Sequence, residues 1–310
     1  MPLFREILGN HIAPIALIIA IGYGFYRHFN PDLQSIGRVS LYIFSPALIL
    51  SGLLNRQISN NELSLLSGYA GVLAMINVSL AVLCGWLLRA NRSQFAALIL
   101  TNTALNGGNY GLPLTRFAFG DQAYEHALVF FAASSVLIYT LGVFVAASGS
   151  GSIRAAFRTL LRMPVIYATL IALVLRWQQV VLPPVLARPI DLFAQAAIPV
   201  MLLILGMQIA RNQLNQNTLV SGQKRFLVIG LVLRLLIAPI VGVLFVVLGK
   251  LTPLDQGVVV LQAVMPTAVV TSLLALEFGL QPAYINYMIL TSTLASPIIL
   301  TPLIAWLKTR

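Results

Sequence analysis

Two stretches of this chain put polar, loop-forming residues inside otherwise apolar segments. The first is Thr101-Asn-Thr-Ala-Leu-Asn-Gly-Gly-Asn-Tyr-Gly-Leu-Pro113. Gly107, Gly108, Gly111 and Pro113 within seven residues cannot hold a regular helix, because glycine is conformationally loose and proline lacks a backbone donor. The second stretch is Met265-Pro266-Thr267, with Thr271 and Ser272 one turn on. A helix interrupted at either place presents bare N–H groups and about half a positive charge where its second half begins. That end suits a carboxylate or a similar anion. Asn106 and Asn109 add amide donors of fixed geometry and no charge. The chemistry on offer is electrostatic recognition. Small residues for close helix packing would explain one such run, but two at matching depth are harder to explain that way.

The elements that must position these residues are membrane spans. Of 310 residues, 59% are apolar and only 9% charged, with a mean hydropathy of +0.91. A soluble domain carries about 25% charged residues. Hydropathy marks ten helices, at 7 to 27, 36 to 54, 62 to 88, 94 to 119, 123 to 147, 161 to 178, 187 to 210, 225 to 249, 256 to 278 and 283 to 307. They are continuously apolar rather than alternating, which excludes a barrel. The fourth centres on Asn106-Gly107 and the ninth beside Pro266. Freed backbone groups at that depth are tolerable only where protein or a wet cavity satisfies them.

Ser148-Gly-Ser-Gly-Ser152 reads as a flexible hinge, followed by a basic amphipathic turn on the membrane surface. A repeat crosses that hinge: Pro14 matches Pro164, Pro46 matches Pro199, and Phe119-Gly120 matches Phe278-Gly279. Five helices per half is odd, so the halves are inverted in the membrane, the design of secondary transporters. The expected organisation is 1–147 as the first five-helix repeat, 148–160 as a basic cytoplasmic linker and 161–310 as the second, inverted repeat. Counting Lys and Arg gives ten on the side of the odd-numbered joins and eight on the other, the latter including Arg56, Lys250 and Arg310. The densest short clusters lie on the first side, which places it in the cytoplasm and both termini outside a cell (inner) membrane. The net charge of +11 therefore sets orientation, and no nucleic-acid partner is expected. Cys84 is the sole cysteine, which excludes an intrachain disulfide and a cysteine metal cluster. The N-terminal stretch lacks a small-residue cleavage site and reads as a retained first span.

These residues resemble a known family. Asn106-Gly-Gly-Asn109-Tyr-Gly111-Leu-Pro113 is similar to the crossover motif of the auxin efflux carrier family, relatives of the bile-acid sodium symporters. Met265-Pro266-Thr267, followed by Ala275-Leu-Glu277-Phe, is similar to that family's second crossover. The resemblance implies an all-α fold of ten helices in two inverted repeats, with broken helices four and nine crossing. It also implies export or exchange of organic anions by elevator-like movement against a scaffold of helices one, two, six and seven. By motif position Asn106 and Asn109 would meet the carboxylate, and Thr267 would support them. This chain lacks the long cytoplasmic loop of the plant members, which separates it from their hormone substrate.

The substrate-binding candidates are Asn102, Asn106, Gly108, Asn109, Gln262, Pro266, Thr267, Thr271 and Arg234. The helix-breaking candidates are Gly107, Gly111, Pro113 and Pro266. Arg234 lies ten residues into the eighth helix, where an unpaired charge costs at least about 2.5 kcal/mol. It is either a second anion contact or a structural pair with a helix C-terminus. His11 and His126 sit near span ends and read as interface residues. Glu62, Asp121, Glu125, Asp191, Asp255 and Glu277 also lie near span ends, so no coupling carboxylate is evident at mid-span. The membrane potential can supply the drive, at about 2.3 kcal/mol per 100 mV for a monovalent anion leaving a negative interior. The expected function is an efflux carrier for a small carboxylate, with membrane lipid and a homodimer as further partners. No metal, cofactor or catalytic set is expected. The rivals are a sodium- or proton-coupled symporter of the bile-acid type and an anion channel.

Overall fold

The computed structural model describes residues 5–54, 58–150, 153–214, 219, 221–249 and 251–309. Arg56, Lys250 and Arg310 of the charge count, residues 151–152 of the linker and residues 1–4 of the first stretch lie outside them. Among the described residues the chain is helical and has no strand. In chain order the helices are α1 (Ile7–Phe29), α2 (Leu33–Leu54), α3 (Asn60–Leu87) and α4 (Arg92–Thr103). Next come α5 (Gly107–Gly149), α6 (Ile153–Leu160), α7 (Pro164–Trp177) and α8 (Pro184–Leu214). The last are α9 (Gly222–Leu248), α10 (Pro253–Val264), α11 (Val270–Glu277) and α12 (Pro282–Lys308). Seven of these, α1, α2, α3, α5, α8, α9 and α12, are long and apolar enough to cross a membrane.

The surface is apolar and the interior partly polar, the reverse of a soluble protein. Leu17, Met75, Trp86, Trp177, Val185 and Ile298 are exposed, whereas Arg234 is the largest fully buried side chain. An apolar exterior on this scale needs lipid around it. The helices start with ordinary chemistry. Ser59 with Glu62 and Asn91 with Gln94 form capping boxes at α3 and α4. The Asp32 side chain caps α2 through the amides of Gln34 and Ser35. Its carboxyl sits below the usual range, chiefly because the Ser35 hydroxyl donates to it.

Helices α1 and α8 pack closely because each sets a glycine against the other's backbone. A Cβ at Gly22 would strike the Leu203 carbonyl, and one at Gly206 would strike that of Ile19. Backbone-to-backbone approach of this kind is the usual cement between helices in lipid.

Two boundaries differ from the sequence-based expectation. The fourth and fifth segments are not separated by a loop: α5 runs from the break after Asn106 through both and turns at Gly120, whose φ of 85° needs no connecting residues. The expected hinge begins as helix, since α5 reaches Gly149, where a Cβ would meet Leu280 and Ala96. That packing fixes residues the sequence marks only as small.

Candidate functional site

Helix α4 ends after Thr103 because Ala104 turns extended, with ψ of 104°. Helix α10 ends after Val264 because Met265 precedes a proline and adopts ψ of 140°. Twelve residues of α4 rise only about 18 Å, too short to cross a hydrocarbon core of about 30 Å. The two interruptions cross as an antiparallel bridge, Leu105 opposite Thr267. The Asn106 N–H donates to the Pro266 carbonyl at 2.9 Å, and the Ala268 N–H to the Ala104 carbonyl at 2.8 Å. Each break thus satisfies groups that the other leaves open. Thr267 locks the crossing: its hydroxyl donates to the Thr101 carbonyl at 2.9 Å and its N–H to the Ser292 hydroxyl at 3.1 Å.

Arg234 occupies the negative side of this crossing. Its Nε donates to the Met265 carbonyl at 2.7 Å, Nη1 to Asn102 at 2.9 Å and Nη2 to Ala263 at 2.8 Å. Those carbonyls close the last turns of α4 and α10, so one guanidinium meets both helix C-termini, each worth about half a negative charge. Of the two roles open from sequence, this geometry is the structural pair with a helix C-terminus, and Arg234 does not line the cavity described next.

The positive side faces an open cavity of about 100 Å³. Asn106, Gly108 and Asn109 border it at the start of α5, and Ala268, Val269 and Val270 at the start of α11. Across from them stand Ser40 and Ser45 of α2, Val165 of α7, and Met201 and Gln208 of α8. Among the described residues no charged side chain lines it. The first turns of two half-helices thus border it, and helix N-termini carry partial positive charge. Within the cavity wall the Asn106 Nδ2 and Gln208 Oε1 are buried with no hydrogen-bond partner. A second cavity shares Gly37, Leu41, Gln208, Val270 and Leu273 with the first and is lined by three charged residues, Arg38, Arg211 and Glu277.

With this break, crossing and cavity described, the sequence supplies the family. Residues 8–304 match the model of the membrane transport protein family, the auxin efflux carrier-like group. The chain belongs to this membrane transport family. It is also 24% identical over 274 residues to an uncharacterized transporter of Methanothermobacter thermautotrophicus, covering 86% of each chain.

In this family member the sequence-predicted residues fall into two groups. Asn106, Gly108 and Asn109 reach the cavity. The remainder build its frame. Gln262 stands behind the first turn of α5, where a Cβ at Gly107 or Gly111 would meet its side-chain amide, so these glycines admit α10. A Cβ at Gly108 would strike the Phe131 ring. Pro113 sits in the opening turn of the regular part of α5, where proline is tolerated. Pro266 and Thr267 form the crossing itself, and the Thr271 hydroxyl donates to the Ala268 carbonyl at 2.7 Å. Asn102 Nδ2 donates to the Leu98 carbonyl at 2.9 Å within α4. Sequence reasoning missed Ser40, Ser45, Ser135 and Gln208 in the wall. The available signal was a lone polar residue in a long apolar run, clearest for Gln208.

It also undervalued His126 and Asp255. Both lie near span ends, yet both are buried, with His126 Nδ1 and Asp255 Oδ1 2.7 Å apart. Thr252 donates to the other carboxylate oxygen at 2.7 Å. The pair ties α5, past its turn at Gly120, to the start of α10.

Proposed function

We propose that this transporter carries a small organic anion, a carboxylate, out of the cell by elevator-type alternating access. The observation that carries the proposal is the uncharged cavity bordered by the first turns of α5 and α11, with Asn106 and Asn109 as amide donors. The substrate carboxylate would accept from those amides, and the membrane potential would drive export.

In this reading the chain makes ten spans in two inverted five-helix repeats, α4 with the first part of α5 and α10 with α11 forming the broken pair. The equivalent prolines and glycines support it. Pro14 and Pro164 each open the regular part of a helix, and Gly120 and Gly279 each hold a positive φ, 85° and 60°, just past a broken segment. Division of the cavity wall supports the elevator: α2, α7 and α8 supply one side and the two breaks the other. Helices α1, α2, α7 and α8 would be the scaffold. Charge asymmetry favours a cell-membrane protein with both termini outside.

The test is flux of labelled carboxylates in proteoliposomes at imposed potentials, with Asn106→Ala as control. Saturable flux that follows the potential and falls in the variant is expected. Flux indifferent to potential would defeat the uniport reading, and unsaturable conductance would favour a channel. A second reading, proton-coupled symport, is favoured by one observation: the buried His126–Asp255 pair, the buried titratable site the sequence did not reveal. It requires flux set by a pH gradient at zero potential and lost in His126→Gln.

A further inference from the structure

The helix that joins the two halves has an exposed face that is both basic and apolar. Arg154, Phe157, Arg158 and Leu161 recur at spacings of three and four and so share one side of α6 and its continuation. All four are exposed, Phe157 by 53% and Leu161 by 65%, while Ala156 and Thr159 on the opposite side are buried. Arg162 extends the row. Among the described residues no carboxylate lies within ion-pair distance of these three arginines. The Phe157 ring packs edge-on against Phe144 of α5 at 5.3 Å, which holds the helix against a membrane span.

We propose that this face of α6 docks anionic phospholipid, and that lipid held there braces the half-helix α11 through Thr159. Three guanidinium groups match headgroup phosphates, and two large apolar side chains between them match the acyl boundary just below. Free phosphate would meet the arginines alone and leave Phe157 and Leu161 in water, so the pattern selects a lipid. Transmission follows from the buried side of the same helix. The Thr159 hydroxyl donates to Glu277 Oε1 at 2.5 Å, and Glu277 is the last residue of α11. Val270, at the other end of α11, lines the cavity. Eight residues of helix, about 12 Å, thus separate the lipid-facing element from the rim of the proposed binding site. The regulatory consequence rests on the carrier reading; the docking and the brace do not.

Hydrogen exchange in nanodiscs tests both without any transported substrate. Parent protein in phosphatidylcholine is compared with protein in phosphatidylcholine containing phosphatidylglycerol, and with phosphatidylcholine discs given inorganic phosphate. Phosphatidylglycerol should slow exchange in α6 and in residues 270–277 by about threefold or more, and phosphate should not. The triple variant Arg154→Gln, Arg158→Gln, Arg162→Gln should behave alike in both lipids. Thr159→Val should keep the slowing in α6 and lose it in 270–277. Equal exchange of the parent in the two lipids, slowing by phosphate alone, or a triple variant that still responds would overturn the docking. A Thr159→Val protein that still protects 270–277 would overturn the brace.

Discussion

Replacing Arg234 by methionine separates its two possible roles. The side chain makes three charge-assisted bonds to backbone carbonyls at 2.7, 2.9 and 2.8 Å. Methionine fills similar space and leaves the carbonyls of Asn102, Ala263 and Met265 buried without that donor. Each orphaned acceptor costs about 1–3 kcal/mol. Relief from burying a cation offsets part of this, since desolvating an ion costs several kcal/mol. A net loss of about 3–5 kcal/mol is expected, less than the full cost of three orphaned acceptors because the buried charge goes too. At about 2 °C per kcal/mol for a chain of this size, the thermal midpoint should fall by roughly 6–10 °C. Arg234→Lys keeps the charge but not the planar fork, so it cannot serve three carbonyls in fixed directions and should recover only part of the loss. The assay is thermal unfolding in neutral detergent, with and without a stabilising carboxylate. The structural role would be refuted by a methionine variant that melts within about 2 °C of the parent while its carboxylate affinity drops tenfold or more. That pattern belongs to an anion contact.

Three further outcomes follow from the same geometry. Asn106→Ala should leave the unliganded melting midpoint nearly unchanged, because its Nδ2 has no protein partner, and weaken carboxylate binding about tenfold, read from ligand-induced thermal shifts. Gly206→Leu should drive α1 from α8 and cost upwards of about 2 kcal/mol, seen as a lower midpoint and aggregation on size exclusion. The depressed Asp32 carboxyl stabilises the start of α2 while ionised. That contribution is present above the unfolded carboxyl value and disappears as pH falls through the lower native one. Exchange of the Gln34 and Ser35 amides should therefore quicken in acid in the parent and be nearly independent of that titration in Asp32→Asn.

The sequence showed where the chain breaks but not what each break rests on. Three glycines with Pro113, and Met265 before Pro266, are local causes, legible residue by residue. The pairing of Leu105 with Thr267 is tertiary, and no local pattern specifies it. Arg234 was visible as a costly buried cation, but its partners are backbone carbonyls, which carry no signature in the side-chain sequence. His126 and Asp255 were discounted by their position along their spans, although burial depends on what packs around a span end. Gly120 was read as one half of a repeat mark. Its positive φ gives that mark a physical reason, a sharp turn that joins two segments without a loop.

Among the described residues no cation lines the cavity wall, which bears on how the proposed carrier would work. An arginine 4 Å from a bound carboxylate would contribute about 4 kcal/mol at an effective dielectric constant of 20. If that attraction acted fully on the bound state, it would slow release about a thousandfold. Amide donors and helix ends bind an anion more weakly and let it go. The charge this chain does place at the crossing, Arg234, is turned to the C-terminal ends of α4 and α10, where it neutralises the carbonyls and leaves the opposite, N-terminal ends of α5 and α11 to face the cavity. On the proposed reading, one arginine on the far side of the crossing would leave the pocket attractive to anions without making it a trap.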